Sequence, residues 1–399
     1  MGAFKLYKIA IVLMLLIATV LTFVFLRKKR KEVALALGTI FFSLFVGELV
    51  LWRFFPQISD HDRMFEYDAD LGWRFVPHQS GRIVYPGEVD RRVRINSVGF
   101  RDVERDLSNK SKRRVLVLGD SFVSNIAVDE DEVFTRVMER QLENTEVLNF
   151  GVNAYGQVQE YLLLQRWFDR VKPDVVMVVI YLRNDFQDNL EKNWTYSRPF
   201  VSLEGAGLTP IIHPAAGKNR NVGRGSIGSL CKRSHVCTLI NKSLERILDG
   251  ILGGASQTPA YTPPELFLCR KESSQTTDLM FSAMEKLTLK LNEVSSAKGV
   301  PMVFVLAPSH VQIYDDLWLA VTGQANQELY DRALPDKRLM GFAKDNHLTM
   351  IDLLPALLAE GQSNKSLYFR IEQHWTREGN ELVARVLIDY LKSLERRNQ

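Results

Sequence analysis

The chain has 399 residues, of which 46% are hydrophobic, 25% charged and 10% aromatic. This globular composition excludes a fibrous repeat or wholesale disorder and leaves room for one large domain or two. The net charge of +4 is confined to one end: residues 1–55 carry eight Lys/Arg against two acids, whereas the rest has 43 basic and 45 acidic side chains, so nothing marks a DNA or RNA footprint.

Ile9 to Leu26 is an uncharged apolar run of 18 residues, and Val33 to Leu51 is a second, interrupted only by Glu48. Each is long enough for a bilayer core of about 30 Å. The Arg27–Lys31 block between them carries five charges against two lysines before the first run, so the positive-inside rule puts it in the cytoplasm. Residues 1–55 are thus expected to be a two-helix anchor that leaves everything beyond on the periplasmic or extracellular side. A signal peptide is the alternative, but no small-residue cleavage site follows the first run.

Residues 56–112 read as a lead-in segment with strand-like pieces at 82–85 and 91–95. From 113 to 399 the pattern is regular: strands at 114–118, 147–149, 174–181, 301–307 and 348–353, a short one at 367–370, and helices at 130–143, 157–171, 277–298, 324–346 and 376–394. Alternating strands and helices predict a parallel sheet covered on both faces. Between 187 and 264 the pattern fails; at nearly 80 residues the stretch is too long for an ordinary connection and reads as an insertion, either a substrate-binding cap or a surface excursion. Cys231, Cys237 and Cys269 are an odd number, so at least one lacks an intrachain partner. Cys231, His235 and Cys237 suggest zinc, but no fourth ligand is nearby, and no metal or organic cofactor is expected.

In such a sheet, ligands bind at the carboxyl ends of the strands, and four motifs fall there. Gly119-Asp120-Ser121 follows the first strand, where a serine at a tight turn needs a base to act as a nucleophile. Asn149 to Gly156 follows the second, and its Gly151-containing turn offers backbone N–H groups to an oxyanion. Asn184-Asp185 follows the third, where an asparagine amide can donate to developing negative charge. Glu372-Gln373-His374-Trp375 precedes the final helix; a histidine there could take the serine proton while a carboxylate orients the ring.

These blocks, GDSF, NFGVNAYG, RND and EQHW, resemble in kind and order those of the SGNH (GDSL-like) hydrolase superfamily. Gly72-Trp73 and the lead-in motif Asn96–Asp102 are similar to many bacterial members. The resemblance implies a three-layer α/β/α sandwich with a mostly parallel five-stranded sheet, flavodoxin-like, here after two transmembrane helices. It implies Ser121 as nucleophile, His374 as base, Glu372 as the third member, and an oxyanion hole from the Ser121 N–H, the Ala154 N–H and the Asn184 side chain, with Gly119, Asp120, Gly151 and Asp185 in support. Three positions depart from the family pattern: Ala154, which keeps its N–H, and Leu182 stand where glycine is usual, and Glu372 stands for an aspartate one methylene shorter; because the family's histidine can work with a weak third member, reduced rather than absent activity is expected.

The expected substrate is an acylated carbohydrate, with the enzyme acting as an esterase on O-acyl, chiefly O-acetyl, groups of an extracytoplasmic polysaccharide. Trp194, Tyr196 and Trp375 are candidates for stacking on sugar rings and equally for packing residues, and the lipid bilayer and envelope polysaccharide machinery are the expected partners. The same residues would serve a polysaccharide O-acetyltransferase. A non-catalytic glycan-binding or scaffold protein and a lipid esterase or thioesterase are the other readings.

Overall fold

The computed structural model describes residues 29–190, 197–204, 209–215, 234–252, 264–363 and 366–398. The first apolar run, Cys231, Trp194 and Tyr196 lie outside them. The chain divides into two units, residues 1–58 with 225–249 and residues 59–224 with 250–399.

In the first unit the second apolar run forms α1 (Arg30–Phe54), a 25-residue helix with no buried side chain. It is long and apolar enough to cross a membrane. Glu48, the acid that interrupts the run, is a capping group. Its carboxylate accepts from the N–H groups of His235 (2.7 Å) and Val236 (3.0 Å) and from the Ser234 hydroxyl (2.8 Å), satisfying donors at the start of the helix His235–Leu252 that have no intrahelical acceptor. The sequence pattern showed no element there. Cys237 is in a disulfide, which leaves no thiolate for zinc.

The second unit opens with two antiparallel hairpins, β1 (Phe65–Asp68) with β2 (Gly72–Phe75) and β3 (Ser80–Tyr85) with β4 (Val89–Arg94). The regular α/β pattern follows: β5 (Arg113–Gly119), α2 (Phe134–Gln141), β6 (Thr145–Gly151), α3 (Gln157–Val171) and β7 (Val175–Tyr181). Besides the helix His235–Leu252, the described part of the expected insertion has an antiparallel hairpin, β8 (Phe200–Glu204) with β9 (Thr209–His213). The pattern then resumes with α4 (Gln275–Ser296), β10 (Met302–Ala307), α5 (Leu334–Asp345), β11 (Thr349–Asp352) and α6 (Arg377–Asn398).

Five strands form one sheet in the order β11-β10-β7-β5-β6, every pairing parallel. Period-2 alternation assigns each residue to a face. Leu116, Leu118, Val176, Val178, Phe304 and Leu306 pack with α3, α4 and α5, whereas Val115, Val117, Met177, Val179, Val303 and Val305 pack with α2 and α6. This is the expected three-layer α/β/α sandwich. The strand order reverses direction between β5 and β7, and the crevice at their carboxyl ends is where such sheets bind ligands.

Two expected elements are corrected. Residues 324–346 are not one helix: a 3₁₀ turn at Gln324–Leu329 precedes α5, because Pro335 in the first turn of α5 removes an N–H and suits a helix start rather than an interior. Residues 367–370 are not a strand; only Tyr368 bridges, to Trp375, because this segment folds back on itself and its outer N–H groups bond elsewhere.

Candidate active site

β5 ends at Gly119 (φ +157°), and a Cβ there would lie 2.3 Å from the Val123 side chain. At the end of β6, a Cβ on Gly151 would lie 2.4 Å from the Ser124 nitrogen. Only glycine allows the one-turn helix Ser121–Ser124 to seat this closely on both strand ends. Asp120 caps that turn by accepting from the Phe122 N–H (2.8 Å). Ser121 opens it, so its own N–H has no intrahelical acceptor.

His374 reaches this turn from the far end of the unit. Its Nε2 lies 2.6 Å from the Ser121 Oγ, and its Nδ1 lies 2.6 Å from the Glu372 Oε1. The second Glu372 oxygen accepts from the His374 N–H at 3.0 Å. The extra methylene of glutamate is accommodated by Gln373, a non-glycine residue at φ +72°, which turns the chain back so that the carboxylate meets both the ring and the backbone of His374. Burial works to lower the His374 pKa, but the charge and hydrogen bond of Glu372, with Asp120 behind, outweigh it and hold it above the ordinary histidine value. The arrangement can move a proton from Ser121 to His374 and stabilise the resulting imidazolium.

Ala154 and Asn184 line the cavity of about 330 Å³ that also exposes Ser121 and His374. Ala154 stands at φ +60°, so the position does adopt the left-handed backbone that favours glycine, and alanine bears the strain there. The Asn184 amide donates to the Asp188 carboxylate at 2.7 Å, which leaves its second N–H for the cavity. Asp185 is buried and accepts from the Tyr181 N–H (2.8 Å) and the Gln157 amide (3.0 Å), fixing the turn after β7. Leu182, where glycine is usual, is buried in the core.

Three carboxyl groups, Asp120, Glu160 and Asp185, are fully buried in this part of the unit. Burial, opposed by the Phe122 N–H and His374, pushes Asp120 up to about 6. Burial and then the neighbouring Asp120 hold Glu160 well above the usual range, and both its oxygens lack a hydrogen-bond partner.

Trp375 is no sugar platform: it is fully buried, edge-on to Phe122 and Phe134. The aromatic wall comes instead from the lead-in, where His61, Phe65 and Tyr85 line the cavity, with Trp73 fully buried behind them. The same segment braces the site. The Trp73 indole donates to the Asn153 carbonyl at 3.0 Å, and the Tyr155 hydroxyl donates to the Trp73 carbonyl at 2.6 Å. The buried Arg101 guanidinium donates to the carbonyls of Ser124, Asn125 and Val128, holding the chain that leaves the serine turn. Glu88, in the β3–β4 turn, accepts from the N–H groups of Arg370, Ile371 and Glu372. The sequence pointed to Gly72-Trp73 and the Asn96–Asp102 motif but not to Glu88, His61, Phe65 or Tyr85, because their partners are far away in the chain and their local pattern is that of any hairpin.

Residues 266–399 match the family model described as the SGNH hydrolase-like domain of the acetyltransferase AlgX. That range contains Glu372 and His374; Ser121, Ala154 and Asn184 precede it. No curated sequence matches the chain. Among solved structures, a member of the lipolytic G-D-S-L family from Veillonella parvula is 14% identical, with 68% of this chain and 94% of that one covered and a TM-score of 0.35. The acetyl xylan esterase AlAXEase is 13% identical over 69% and 98%, with a TM-score of 0.37. The psychrotrophic esterase EstA from Pseudoalteromonas sp. is 9% identical over 71% and 100%, with a TM-score of 0.34.

Proposed function

We propose that the chain is an SGNH-type hydrolase or acyltransferase, with Ser121 the nucleophile and His374 the general base of an acyl-enzyme mechanism acting on O-acyl, chiefly O-acetyl, groups of an extracytoplasmic polysaccharide. The observation that carries this reading is the unbroken chain Ser121–His374–Glu372, with 2.6 Å at each link.

The Ser121 Oγ attacks the ester carbonyl carbon as its proton passes to the His374 Nε2, and Glu372 holds the opposite N–H in the productive tautomer. The N–H groups of Ser121 and Ala154 and the Asn184 amide receive the oxyanion. Collapse releases the sugar oxygen, which takes the proton from His374, and leaves the acyl group on Ser121. Water or a sugar hydroxyl, deprotonated by His374, then displaces it. Transfer to a sugar, an O-acetyltransferase, is the second reading; it is favoured by the description of the family model matched by residues 266–399. The wall of His61, Phe65 and Tyr85 suits an acylated carbohydrate, since aromatic faces pack against the apolar faces of sugar rings.

The chain is proposed to be anchored by two spans, Ile9–Leu26 and α1, with the Arg27–Lys31 block cytoplasmic and the second unit outside, where it meets the envelope polysaccharide machinery. The disulfide at Cys237 favours the same oxidising side.

The test is release of p-nitrophenol from p-nitrophenyl acetate, and in parallel acetyl transfer to oligosaccharides read by mass spectrometry, by the wild type beside Ser121→Ala and His374→Ala. Both activities should vanish in both variants. Retention of activity in Ser121→Ala would sink the reading, and acetylated oligosaccharide without free acetate would identify a transferase.

A further inference from the structure

The segment that carries the triad acid has little of its own to hold it. Ile371 is 62% exposed and Arg370 is exposed as well. Gln373 sits at φ +72°, a backbone conformation that persists in a non-glycine residue only when its surroundings over-determine it. On the inner side the turn is closed by the Phe369 N–H donating to the His374 carbonyl at 2.9 Å. On the outer side three successive N–H groups, of Arg370, Ile371 and Glu372, converge on one carboxylate, that of Glu88, at 2.5, 2.8 and 2.8 Å. Successive N–H groups turned to one point form a nest with affinity for an anion, and here the anion is supplied by a side chain 282 to 284 positions away.

We propose that Glu88 is a positioning residue for catalysis: its carboxylate locks residues 370–372 so that Glu372 stays on His374, and the β3–β4 hairpin is thereby a working part of the triad. This rests on Ser121, His374 and Glu372 acting as proposed above. Glu88 touches no reacting atom and acts through Glu372 alone. The fit is specific to glutamate. Aspartate is one methylene too short to reach all three donors, and glutamine keeps one acceptor oxygen but turns an amide N–H₂ towards the N–H groups its other oxygen served.

Two consequences separate positioning from mere support. First, the effect of Glu88 must pass through Glu372, so the two residues are not additive. Second, the pH profile must move. The charged or titratable groups that face His374 are Glu372 on its own loop, Asp120 at the end of β5, and His310 after β10; Arg183 meets the adjoining Gln373 side chain. Of these, Glu372 contributes most to holding the His374 pKa above its ordinary value. Once the loop is released, that contribution falls, the imidazole loses its proton at lower pH, and the acidic limb of the rate moves down as the maximal rate drops.

The experiment is the rate of Ser121 phosphonylation by a fluorophosphonate probe across about pH 5–9, on the full-length protein in detergent micelles. Wild type, Glu88→Ala, Glu88→Gln, Glu372→Ala and the double variant Glu88→Ala/Glu372→Ala are compared, with Tm measured on each. Glu88→Ala should slow labelling about 10²-fold, the scale of a misplaced catalytic group, and shift the acidic limb to lower pH. Glu88→Gln, which preserves the hairpin's bulk, should fall between Ala and wild type. In the Glu372→Ala background, Glu88→Ala should change the rate by less than about threefold, within the additivity error of independent sites. An unmoved acidic limb in a folded Glu88→Gln protein, or effects that multiply in the double variant, would overturn the proposal. Failure of the wild type to label at Ser121 would sink the Ser–His reading instead, before any Glu88 variant is considered.

Discussion

The sharpest consequence of the site geometry concerns Glu372→Gln. The carboxylate makes two bonds at once, from Oε1 to the His374 Nδ1 at 2.6 Å and from the His374 N–H to Oε2 at 3.0 Å. Glutamine has one oxygen for the two tasks. If that oxygen stays on the backbone, the amide N–H₂ faces Nδ1, which must then be unprotonated; Nε2 carries the proton towards Ser121 and cannot accept another. If the oxygen faces Nδ1, the amide confronts the backbone N–H donor to donor. Loss of one charge-assisted bond is worth about 1.5–3 kcal/mol, which is roughly 10- to 150-fold in rate, and the wrong tautomer adds to it. The expected outcome is a fall in kcat/KM for p-nitrophenyl acetate of about 10²-fold or more, carried by kcat, with Tm little changed. General-base catalysis needs neutral His374, so wild-type activity falls as pH drops through its raised pKa; without the carboxylate that limb lies at lower pH. Stopped-flow rates at several pH values measure both effects. A variant within threefold of wild type at the pH optimum would mean that Glu372 is an ornament of the fold and that His374 works alone.

Two further outcomes follow from strain and from buried charge. Ala154→Gly relieves a left-handed alanine at φ +60°, worth about 1–2 kcal/mol, against roughly 0.5–1 kcal/mol of extra chain entropy lost on folding; thermal melting should show unchanged or slightly raised stability. Since the N–H is common to both residues, esterase activity should stay within about threefold, and a tenfold rise would instead mean that the methyl group obstructs the oxyanion site. Glu160→Gln removes a carboxyl held protonated by burial. The folded-state pKa is raised, so the wild type's extra stability is full below the unfolded value near 4.3 and is lost as pH climbs towards the folded one. The variant should therefore gain on the wild type with rising pH, by at most about 1.4 kcal/mol per pH unit, in denaturant titrations between about pH 5 and 8; a difference independent of pH would refute it.

The parallel sheet was legible because both-face burial writes itself as unbroken apolar runs such as Val175–Tyr181. The three chemical blocks at the ends of β5, β6 and β7 were legible because glycine and asparagine mark turns whatever surrounds them. The loop of His374 was not, since its apolar Leu367–Phe369 run mimics a strand while its outer N–H groups belong to a side chain of the lead-in. Whether Trp375 stacks or packs was open because an aromatic beside the candidate histidine carries no mark of which way it faces. The helix His235–Leu252 escaped notice amid Gly, Ser and Pro to either side, and the carboxylate that caps it lies in an apolar run read for its membrane span.

The position of the histidine loop beyond β11 also bears on how the molecule is made. All five sheet strands are laid down by Asp352, and the serine turn is seated against the first two of them, yet its hydrogen-bond partner arrives only with residue 374. A chain made from its N-terminus therefore has the serine turn and all five strands in hand before the histidine is added. On the proposed mechanism the serine would gain its base only when the turn between Leu367 and Trp375 closes onto Glu88 and Asn125. On that reading, reactivity at Ser121 would report that the chain has folded as far as Trp375.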